Sequence, residues 1–208
     1  MEGGAVIITR NLSQQRRSCH LNENLGHSIF KKLPNKALHR TAIPLKRKAN
    51  IMAHHDNIHR LDQADASISQ DIWALFQRAY RIEAEIIGIE DFPPLNRTLE
   101  NIQITKSAFT GLYAGATLTA VSETQTNDNC LSIDGFVVDP QFFRKGFGSQ
   151  LLQSILDESH CKVAFVETAA ANEPAIRFYR RFGFKEIGRW KTAEGMQLVK
   201  LCANLRFD

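Results

Sequence analysis

The stretch from Asp134 to Leu152, DGFVVDPQFFRKGFGSQLL, constrains this chain more than any other. It begins in an apolar run that reads as a strand over Leu131–Val138, closed by Asp139-Pro140. A helix follows from Gly146 to about Ser159, with Leu151, Leu152, Ile155 and Leu156 on one face. The turn between them bears Arg144, Lys145, Gly146 and Gly148. Glycines at a helix start let backbone approach a ligand, and the first unpaired N–H groups then point outward. With the helix dipole, those donors suit an anion such as a pyrophosphate, and Arg144 and Lys145 add charge. The turn is not a Walker loop, because GxxxxGK[ST] is absent. Nor is it a full GxGxxG fingerprint, since Leu151 stands at the third glycine position. An NTPase and a Rossmann dehydrogenase are both disfavoured.

A second informative segment runs from Glu167 to Phe184, ETAAANEPAIRFYRRFGF. Asn172 is placed to cap a helix with Pro174 in its first turn, and Gly183 stops it. Phe178, Phe182 and Phe184 read as core. Tyr179 has two readings, a packed ring with a satisfied hydroxyl or a functional phenol.

Elsewhere, Ile58 and Leu61 suggest a short first strand. Ser69 or Asp71 can cap a helix through about Ile87, ended by Gly88, with Ile72, Leu75, Phe76, Ala79, Ile82 and Ile86 at helical spacing. Pro93-Pro94 forces an extended loop, and residues 96–102 read as a second short helix. Strands are expected over about 108–113 and 116–122, followed by a polar surface loop over Glu123–Asn129 (ETQTNDN). A buried strand at 162–168 and strands at 184–187 and 197–202 complete the pattern. The class is mixed α/β with a largely antiparallel first half and no internal repeat.

Taken together, in this order and spacing, the two segments resemble motifs A and B of the GNAT-type N-acetyltransferases. That family carries [Q/R]xxGx[G/A] in the turn and an Asn…Ala…PheTyr…GlyPhe segment downstream. The likeness is strongest over 134–184, extends over about 55–202 and does not reach 1–51. It implies a central mixed, mostly antiparallel twisted sheet flanked by helices. It also implies acetyl transfer from acetyl-CoA to a primary amine of a small molecule or peptide, by direct attack in a ternary complex. By similarity, the backbone of Phe136 and Val138 would pair with the pantetheine arm. The amides of Arg144, Lys145, Gly146, Phe147, Gly148 and Ser149 would hold the pyrophosphate, and Asn172 would lie beside the cofactor. The strands of 131–138 and 162–168 would splay to leave a cleft. Tyr179 matches the general acid that protonates the departing thiolate. Phe143 replaces the family's Gln or Arg at the first motif position, with the positive charge one residue later. Ser132 occupies the position of a base glutamate in histone-type members. Asp134, on the same strand face, and Glu83, Glu85 and Glu167 are the alternatives. Residues 80–95 would shape the acceptor site, where Glu83, Glu85, Glu90 and Asp91 could attract a cationic amine. The other class consistent with these motifs is a non-catalytic acyl-CoA-binding module.

Charge divides the chain. Residues 1–51 carry 10 Lys and Arg against 2 Asp and Glu, whereas 52–208 carry 16 against 20. The basic segment is expected to be an irregular extension, with Met52 as an alternative start and 52–208 as the transferase-like domain. Phe30 is its only aromatic residue, so nucleic-acid binding is not expected. No apolar run approaches the ~18 residues that cross a bilayer. The four cysteines (Cys19, Cys130, Cys161, Cys202) show no CxxC and no ligand spacing with a histidine. No metal is expected, and reduced thiols favour a cytoplasmic location. The acceptor, the acyl chain and the assembly, a homodimer among the options, are left open by the sequence.

Overall fold

The computed structural model describes residues 8–10, 57–193 and 195–205. Its centre is a sheet of eight strands: β1 (Ile8–Arg10), β2 (Ile58–Leu61), β3 (Ala108–Ala114), β4 (Thr117–Asn127), β5 (Cys130–Val138), β6 (Val163–Ala169), β7 (Lys185–Lys191) and β8 (Gln197–Asn204). The order along the sheet is β2-β3-β4-β5-β6-β8-β7, with β1 pairing to β5 off that path. The β5–β6 pair is parallel and every other pair is antiparallel. The mixed, mostly antiparallel sheet expected from the sequence is therefore present. The helices longer than one turn are α1 (Ala66–Ile87), α2 (Leu99–Gln103), α3 (Phe147–Glu158) and α4 (Glu173–Arg181).

Helices cover both faces. Ile72, Leu75, Phe76 and Ala79 of α1 pack with Phe109, Val121 and Val137 on one side. Leu151, Leu152 and Ile155 of α3, with Ile176 and Phe178 of α4, pack with Ile133, Phe136 and Leu201 on the other. Phe136 and Val137 thus face opposite cores, as the two-residue period of a strand requires. Buried on both faces, β5 is the central strand, and apart from Ser132, Asp134 and Gly135 its residues are apolar, as that position requires.

Four expectations need correction. The cap of α1 is Asp65 rather than Ser69 or Asp71: its Oδ1 accepts from the amides of Ser67 and Ile68. Ser69 instead lies buried inside the first turn, donating Oγ–H to the carbonyl of Ala66. Pro93-Pro94 opens a 3-10 turn, Pro93–Asn96, rather than an extended loop, and the short helix expected over 96–102 starts only at Leu99, as α2 behind a Thr98–Asn101 capping box.

The largest difference is at 123–129. This polar stretch is not a loop. Strand β4 continues through Asn127, and only Asp128 and Asn129 make the turn, at φ 46° and 62°. Two consecutive left-handed residues give a hairpin turn whose twist matches the strands, and Asp and Asn tolerate that conformation. Glu123 becomes buried because Arg97 supplies a bidentate counter-charge.

Candidate active site

Strand β5 pairs with β6 only from Cys130–Ile133 against Val163–Val166, although both strands run on. Beyond Ile133 they part, leaving the β6-side edge of β5 free of β6. In this structure β1 takes that edge, with Ile8, Thr9 and Arg10 opposite Val137, Phe136 and Gly135. The splay and its strand-binding edge therefore exist, and an extended segment of the chain itself occupies the backbone at Phe136.

The chain leaves β5 through Asp139, whose carboxylate has two tasks. Oδ1 accepts from the amide of Gln141, and Oδ2 accepts from Arg78 on α1 at 2.9 and 2.7 Å. Arg78 was not singled out from the sequence, because nothing in a 61-residue separation signals the pairing. It ties the start of the turn to α1. Arg144 then adopts φ 63° and Gly146 φ 87°. A side chain in the left-handed region is uncommon, and such residues cluster where backbone amides line an anion concavity. Arg144, Lys145 and Gly146 are exposed, Phe147 and Ser149 half-buried, and Gly148 buried. Lys145 Nζ lies 4.6 Å from the centre of the Phe142 ring.

Gly146 provides no side-chain cap to α3, and the Gln150 amide, bonded to the carbonyl of Gly146, is the first to turn back along the helix. The preceding amides, Phe147 to Ser149, have no intrahelical acceptor by the geometry of a helix start. The glycine-bearing helix start without a side-chain cap that the sequence reading relied on is therefore present.

Asn172 caps α4 through Oδ1, which accepts from Ala175 N at 3.1 Å. Its Nδ2 donates to Glu83 Oε1 at 3.0 Å, and both residues are buried. Desolvation raises the Glu83 carboxyl from 4.5 to about 8, partly opposed by the Asn172 bond. Glu83 Oε2 has no hydrogen-bond partner among the described residues. The other carboxylates behave differently. Glu85, Glu90 and Asp91 are exposed, and Glu167 is half-buried with Lys200 Nζ at 3.4 Å. Ser132 donates its hydroxyl to Asp134, so these two are bonded to each other.

Tyr179, one residue beyond Phe178 on α4, is fully buried. Its ring stands edge-on to Phe136 of β5 at 6.3 Å and to Phe178 and Phe184, each at 5.3 Å. The fold thus brings Tyr179 to the part of β5 beyond the parting from β6, with Gly146 of the turn eight residues after Val138. Cys130 and Cys161 are buried, Cys130 Sγ donating to the carbonyl of Asp128, and burial pushes the half-buried Cys202 thiol up. Cys19 lies outside the described residues. No group of three or more His, Cys, Asp or Glu suited to a metal occurs among the described residues.

A splayed mixed sheet with a glycine-bearing turn before α3 is the architecture that the family resemblance implied. Aminoglycoside 6'-N-acetyltransferase complexed with coenzyme A shares the fold: TM-score 0.57, 12% identity, over 73% of this chain and 98% of that one. Among curated proteins, the UPF0157 protein YqkA of Bacillus subtilis (strain 168) is 34% identical over 66% of this chain, a match spanning only 40% of YqkA. N-alpha-acetyltransferase RimI of Mycobacterium tuberculosis (strain ATCC 25618 / H37Rv) is 28% identical over 54% of this chain and 73% of its own. The model of the Acetyltransferase (GNAT) family matches residues 70–184. The chain belongs to that family.

Proposed function

We propose that residues 52–208 form an enzyme that transfers an acetyl group from acetyl-CoA to a primary amine, with residues 1–51 as an extension. One observation carries this reading. The β5 edge freed at Ile133 leads directly into the uncapped start of α3, and Tyr179 stands against that edge at Phe136. In this reading the pantetheine arm takes the place of β1 along Phe136 and Val138. The pyrophosphate rests on the amides of 146–149, with Arg144 and Lys145 beside it and Asn172 nearby. The amine attacks the thioester directly. An N–C bond forms, the C–S bond breaks, Tyr179 Oη gives its proton to the departing thiolate, and the proton lost by the attacking nitrogen passes to solvent, from which the phenol is restored. No nucleophilic Cys or Ser is needed, which agrees with the packed thiols. The absence of any CxxC or paired cysteine spacing in the sequence supports a cytoplasmic setting.

The test is thiol release from acetyl-CoA with a panel of primary amines. Peptide α-amines lead the panel, because a relative is named an N-alpha-acetyltransferase. Release matched by acetylated amine is expected. The full burial of Tyr179 favours one competing reading, a module that holds acyl-CoA without turnover. Calorimetric binding of acetyl-CoA with no release on any amine would establish that alternative. Failure to bind acetyl-CoA would end both.

A further inference from the structure

Glu83 lies in the fifth turn of a 22-residue helix, fully enclosed, and the side chain that hydrogen-bonds it, Asn172, is far away in sequence. Burying a carboxyl costs heavily unless its lone pairs or its proton are used, so a buried acid with an unused oxygen calls for a reason. The partner supplies one. Asn172 uses its oxygen to cap α4 and its nitrogen to reach Glu83. An asparagine side chain has a fixed plane, so anchoring its amide nitrogen also orients the oxygen that begins the helix. Tyr179 lies on that helix, seven residues after Asn172.

Resting on the acetyltransferase reading above, we propose that Glu83 is a positioning residue: its carboxyl orients Asn172, which sets the start of α4 and hence the stance of Tyr179 against β5. The carboxyl does this as a neutral acid. Burial is the main cause of its raised pKa of about 8, and the hydrogen bond from Asn172 opposes it. Charged neighbours in sequence, Arg81 and Glu85 on its own helix and Glu173 beside Asn172, are exposed to solvent. Because it is neutral, a glutamine should replace it, keeping an oxygen for Asn172. Leucine should not, since it removes the acceptor to which Asn172 Nδ2 donates.

The experiment compares full-length wild type, Glu83→Gln and Glu83→Leu. Two readouts are taken: turnover against pH, and hydrogen exchange of the α4 amides. Glu83→Gln is expected to match wild type at pH 7 in both, and to lack an alkaline fall in turnover near pH 8 that wild type shows. Glu83→Leu should lose protection from Ala175 onward and fall in kcat on the order of 10- to 100-fold, the scale of a small misplacement. Two results would overturn the proposal: Glu83→Gln as impaired as Glu83→Leu at pH 7, or Glu83→Leu with wild-type exchange in α4. If wild type turns over no amine, the acetyltransferase reading fails, yet the exchange comparison still decides whether Glu83 orders α4.

Discussion

Tyr179→Phe deletes one oxygen from a ring otherwise held by Phe136, Phe178 and Phe184. The packing should survive, so the melting temperature stays close to wild type while kcat in the thiol-release assay falls by about 10²–10⁴. Unchanged turnover would remove Tyr179 from the role of acid. Glu83 makes a separate prediction about stability. Its folded pKa of about 8 lies above its ordinary 4.5. Its contribution is therefore complete below pH 4.5, declines as pH rises towards about 8, and changes no further above that. Denaturant titrations across this range should show Glu83→Gln gaining on wild type with rising pH, and a constant difference would contradict the assignment. At this scale the sequence was only partly readable. Tyr179 and Asn172 stood out through their motif. The burial of Glu83 did not, because it depends on a partner 89 residues away. Arg78 and Arg97 were invisible for the same reason: long-range ion pairs leave no periodic trace.

Among the elements, the turn between β5 and α3 carries the cofactor argument. Gly146 holds φ 87°, and a Cβ built there meets nothing within 4 Å. The penalty of Gly146→Ala is therefore backbone strain alone, roughly 1–2 kcal/mol for a left-handed L-residue. Part of that strain should appear as a rearranged turn. The expected outcome is a raised KM for acetyl-CoA with kcat at saturation retained, measured by steady-state kinetics. A KM equal to wild type would detach the turn from cofactor binding. Helices and central strands were legible because apolar periodicity and caps are local signals. The stretch ETQTNDN was misread because its composition is that of a loop. A buried Arg97–Glu123 pair and a two-residue turn at 128–129 convert it into a strand. Tertiary charge pairing outweighed local propensity there.

At the scale of the molecule, the described site is built from residues 57–205, while β1 comes from the basic segment and lies on the edge proposed for pantetheine. Residues 52–208 alone should fold with a melting temperature near that of the full chain and bind acetyl-CoA at least as tightly, since no strand competes for Gly135–Val137. Weaker binding by calorimetry would make the extension part of the site. The position of β1 could not be read from the sequence, for three extended residues carry no pattern to name their partner strand. The splay was expected only through family resemblance, and the parting of β5 from β6 after Ile133 supplies its geometry. The central claim is that this parting and the turn after it hold acetyl-CoA. A crystal structure of the full chain grown with saturating coenzyme A tests it most directly. The account predicts the diphosphate on the amides of 146–149 and the pantetheine along Phe136 and Val138, with β1 displaced. Cofactor density elsewhere, or β1 still paired to β5 with the turn bare, would contradict it.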